Sequence, residues 1–99
     1  MVPVRIALQD GFEGDTVVVK VNGKEVFKQE NVKTKSQIGK AASFEVDVEQ
    51  GPVNFQVCLP LKNLSETIVF KVSDKVFLGV SIEENKIEHI VSSEPFHYA

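Results

Sequence analysis

The feature that most constrains this chain is a period of two. Apolar side chains recur at every second position in row after row: Val4, Ile6 and Leu8; Val17, Val19 and Val21; Phe44, Val46 and Val48; Val53, Phe55, Val57 and Leu59; Ile68, Phe70 and Val72; Val76, Leu78, Val80 and Ile82. Alternation of this kind puts one face of a strand in a core and the other in water. No segment carries the i, i+3, i+4, i+7 spacing of an amphipathic helix over three turns. The residues filling the rows agree with their spacing. Seventeen of the 99 residues are valine and seven are phenylalanine, and β-branched and aromatic side chains fit a pleated, half-buried surface.

Turn chemistry separates the rows. Asp10-Gly11-Phe12-Glu13-Gly14-Asp15 follows a first strand at 2–8, and Thr16 to Val21 forms the next. Pro3 has no N–H to give a ladder, which predicts a first strand at a sheet edge. Asn22-Gly23 suits a two-residue type I′ hairpin, because both residues tolerate positive φ. It should lead into a short strand, Glu25 to Gln29. A polar stretch of about 13 residues, Glu30 to Ala42, then exceeds ordinary loop length and reads as a crossover between sheets or a functional loop. Gln50-Gly51-Pro52, Pro60 to Ser65, Ser73-Asp74-Lys75 and Glu83 to Lys86 divide the remaining strands, the last of them Ile87 to Val91.

About eight short strands with regular turns argue for an all-β fold. The long crossover favours a Greek-key-like sandwich of antiparallel strands over a small barrel. The expected architecture is immunoglobulin-like or prealbumin-like, a likeness of fold alone that says nothing about function. A chain of 11.0 kDa buries about 65% of its extended surface on folding. That is enough for one core and no more, so a single domain is expected over 1–99. Cys58 is the only cysteine, which forbids an internal disulfide and suits a reducing compartment. Met1-Val2-Pro3-Val4-Arg5 lacks the pattern of a signal peptide, and no apolar run reaches bilayer-spanning length. A cytoplasmic protein with no membrane role is the expectation.

Charge argues against nucleic acid. Eleven basic residues face 14 acidic ones, for a net charge of −3, and Arg5 is the only arginine. Catalysis needs converging groups, and the sequence offers few. His89 and His97 fit no known metal spacing. Cys58 shares a strand face with Asn54 and Gln56, without the nearby cation or helix terminus that makes a reactive thiolate. An enzyme is therefore the least favoured class, and no cofactor is expected.

Three surface features remain. Asp10, Glu13 and Asp15 crowd one turn and could offer oxygen ligands to calcium, although Gly11 and Gly14 explain the turn without a metal. Lys33, Thr34, Lys35 and Lys40 form a basic loop able to hold an anion or a carbohydrate. The absence of Trp and the terminal position of the only Tyr weigh against sugar. Phe77, Phe96 and Tyr98 fall outside the inward rows. They mark either a strip covered by the C-terminal tail or an interface with a protein partner or a second copy. The function expected on balance is a noncatalytic interaction or structural module.

Overall fold

The computed structural model describes residues 1–35 and 39–96. It contains eight strands: β1 Val2–Leu8, β2 Glu13–Val21, β3 Lys24–Lys33, β4 Ala42–Val48, β5 Gly51–Leu59, β6 Leu64–Val72, β7 Val76–Glu83 and β8 Lys86–Ser92. They form two four-stranded sheets, ordered β4-β1-β7-β8 and β3-β2-β5-β6. The fold is a sandwich and not a closed barrel. Its order departs from the immunoglobulin arrangement, in which the first strand shares a sheet with the second, fourth and fifth. The one helical element among the described residues is a 3₁₀ turn, Pro60–Lys62, so no described helix is long and apolar enough to cross a membrane.

The inward rows meet between the sheets as the alternation requires. Val4, Ile6, Leu8, Leu78 and Val80 from one sheet, and Val17, Val19, Phe55 and Val57 from the other, are completely buried. Phe12 and Val32 close one end of this core. Phe55 stacks on Phe70 at 5.2 Å, and Phe27 on Phe44 at 4.0 Å, so aromatic pairs fill the flanks. The Asn22-Gly23 turn adopts the positive φ values, 50° and 84°, that the sequence predicts. Glu84-Asn85, with φ of 50° and 61°, makes a second turn of the same kind.

Four sequence expectations are corrected. Not every pairing is antiparallel, because β1 runs parallel to β7, with Val4 beside Val76 and Leu8 beside Val80. Consequently β1 is a central strand, despite Pro3. The proline faces Asp47 of β4 and lies just before the β7 ladder begins at Val4, so its missing N–H interrupts nothing there. The third strand runs to Lys33, not Gln29, and the crossover shortens to residues 34–41. Polar residues extend β3 because it is an edge strand whose pairing with β2 absorbs register shifts near both ends, with Asn31 at φ 56°. Finally, β2 starts at Glu13, which moves Glu13 and Asp15 out of the turn and into the sheet.

Candidate functional site

The acidic trio does not converge. Asp10 and Glu13 are exposed, whereas Asp15 is buried. One Asp15 oxygen lies 3.1 Å from Lys62 Nζ, and the other accepts the Glu13 N–H at 2.9 Å. A calcium ion would have to displace that ammonium group. Among the described residues no three carboxylate, histidine or cysteine side chains gather as metal ligands, and Asp15 instead ties the 3₁₀ turn to β2.

The basic loop is also spent locally. Thr34 Oγ1 donates to the Gln9 carbonyl at 2.6 Å and accepts the Phe12 N–H at 3.0 Å, clamping the connection between β1 and β2. The Lys35 N–H bonds the Lys40 carbonyl, and the Gly39 N–H bonds the Lys35 carbonyl. Lys33 and Lys35 project into solvent, while Lys40 turns toward the outer face of the β4-β1-β7-β8 sheet. Thus the four residues do not form one anion cradle.

Phe77 points outward in the β7 register, yet it is only 7% exposed. The tail explains this, since Pro95 and Phe96 share a cavity wall with Phe77 on that face. Lys75 Nζ also lies 5.5 Å from the centre of the Phe77 ring. Tyr98 and His97 lie outside the described residues. Cys58 is half-buried, opposite Val18 and Ser65.

A different surface stands out, at the outer edge of β8. Ile90 is 55% exposed and Val91 42%, adjacent residues on opposite faces of one strand. Backbone direction follows from the neighbouring strands. The Gln9 N–H reaches the Val80 carbonyl, and the Ile82 N–H reaches the Asp10 carbonyl. The main chain at Val80 and Ile82 therefore turns toward β1, and that at Gly79 and Ser81 toward β8. Their partners Ile90 and Glu88 answer those bonds. Ile87, His89 and Val91 then direct their N–H and C=O groups away from the sheet. This edge carries no proline and no register shift, unlike β3.

Beside the edge runs a groove of about 340 Å³ between the two sheets, bounded by Leu64, Glu66, Ile87 and His89. The groove is open because β6 and β8 end their respective sheets on the same side. A side chain from an added strand would enter it. The sequence could have disclosed Ile90 and Val91 as successive apolar residues in a final strand. It could not disclose that this strand forms an edge.

Comparison of the sequence with known proteins adds no constraint to this geometry, since no protein-family model and no curated protein matches it.

Proposed function

We propose that this domain is a noncatalytic protein-interaction module that binds an extended segment of a partner as a fifth strand beside β8. The observation that carries the reading is the unguarded edge itself: Ile90 and Val91 exposed, with the peptide groups of Ile87, His89 and Val91 facing outward. In β-augmentation, main-chain hydrogen bonds supply affinity and pockets for alternate side chains supply selectivity. Here the groove between Leu64 and His89 receives every second side chain of the guest, and Ile90 packs against those on the opposite face. Asp15 of the acidic turn and Thr34 of the basic loop already serve the fold.

The test is selection of extended peptides against the domain, followed by amide chemical-shift mapping. Bound peptides should shift Ile87, His89 and Val91, and Ile90→Lys should weaken them at least tenfold. Peptides that bind with shifts confined to other strands, and that Ile90→Lys leaves unaffected, would refute the reading. Concentration-dependent shifts of the same amides without peptide would identify a second copy as the guest strand.

A further inference from the structure

On the outer face of the β4-β1-β7-β8 sheet, the registers place Ser43, Ala7 and Gly79 in one row and Glu45, Arg5 and Phe77 in the next. The first row consists of small residues; the Gln9 side chain lies over Gly79, and Ser43 and Ala7 leave the face low beside the Phe77 ring. The tail crosses above it, and Pro95 and Phe96 form a roof. The result is a cavity of about 260 Å³ with Ala7 and Phe77 on its floor and Arg5, Lys40 and Ser43 around its rim. Ala7 is 4% exposed although it faces away from the core.

Among the described residues, Arg5 and Lys40 line the cavity and no carboxylate does. Arg5 is paired on this face with Glu45, whose Oε2 lies 3.6 Å from Arg5 Nη2. Both side chains of that pair are nearly half exposed, so it is weak and easily rearranged. A third cation, Lys75, sits 5.5 Å from the centre of the Phe77 ring. Aromatic and aliphatic walls with a cationic rim complement a ligand that is apolar at one end and anionic at the other.

We propose that this cavity binds a small amphipathic anion: a carboxylate on a medium-length alkyl chain or a single aromatic ring. The hydrocarbon lies between Phe77 and Phe96, and the carboxylate exchanges for Glu45 on the guanidinium of Arg5 in the bidentate geometry that arginine favours, beside Ser43. The site is separate from the β8 edge and does not depend on edge docking.

Titration of the labelled protein with sodium octanoate, below its micelle concentration, tests the assignment by amide shifts. Saturable shifts centred on Arg5, Ala7, Phe77 and Phe96 are expected. Octylammonium, with the same chain and opposite charge, and acetate, with the charge and no chain, should each bind at least tenfold more weakly. Arg5→Gln, a change at an exposed side chain, should weaken octanoate at least fivefold, and Phe96→Ala should do the same without altering charge. Absence of saturable shifts, equal binding of octylammonium, or octanoate shifts centred elsewhere would overturn the proposal.

Discussion

Gly11 shows how one residue can hold two elements in place. Its φ is +89°, and a Cβ built there would lie 2.0 Å from the Ile82 carbonyl oxygen. The adjacent Asp10 carbonyl accepts the Ile82 N–H at 2.8 Å, so the turn after β1 is pressed against the end of β7. Gly11→Ala should cost on the order of 2–4 kcal/mol in urea denaturation, from backbone strain and the lost close approach. Asp15 poses a different problem, because it is charged and buried. Asp15→Ala strips a charged hydrogen-bond acceptor from the Glu13 N–H and a partner from Lys62. A loss of about 2 kcal/mol is expected, visible as a melting temperature lower by roughly 8–16 °C. Asp15→Asn keeps an acceptor for the N–H and should lose less.

At the scale of elements, the strands were readable because each inward row is written locally in a two-residue period. Their partners were not, because pairing depends on residues far apart in the chain. Thus Val76 to Ile82 identifies β7 as a strand, yet nothing in those residues states that its neighbours are β1 and β8. Phe77 illustrates the cost of this gap. It reads as an outward aromatic, yet it is buried among residues brought there from β1, the Lys75 turn and the tail. Asp15 and Thr34 were legible as members of an acidic turn and a basic loop, and the turn of Pro60–Lys62 and the path of Gln9 decided what they bond. The β3 edge is defended by Lys24, Glu25, Lys28, Glu30 and Lys33 and by irregular register, as exposed edges usually are. The exchange of Ile90 and Val91 for lysine should therefore make β8 resemble β3. The double variant is expected to keep the parent melting temperature within a few degrees, while losing any concentration-dependent association measured by sedimentation.

Across the whole molecule, three of the six sheet pairings join strands distant in sequence: β1 with β4 and β7, and β2 with β5. Topologies dominated by such pairings fold in milliseconds to seconds, and stopped-flow refolding should place this domain there. Removing residues 93–99 should leave that rate nearly unchanged, because residues 93–96 lie outside both ladders, while exposing Phe77 and Ala7 to apolar dyes. The parallel pairing of β1 with β7 has a consequence for synthesis in the cell. Val4 emerges some seventy positions before its neighbour Val76, several seconds at roughly 5–20 residues per second. During that interval the apolar row of β1 has no strand to cover its second edge. A nascent chain from which Val76 has not yet emerged would present a sticky template to chaperones or to its own siblings on the same message, and the released chain would not.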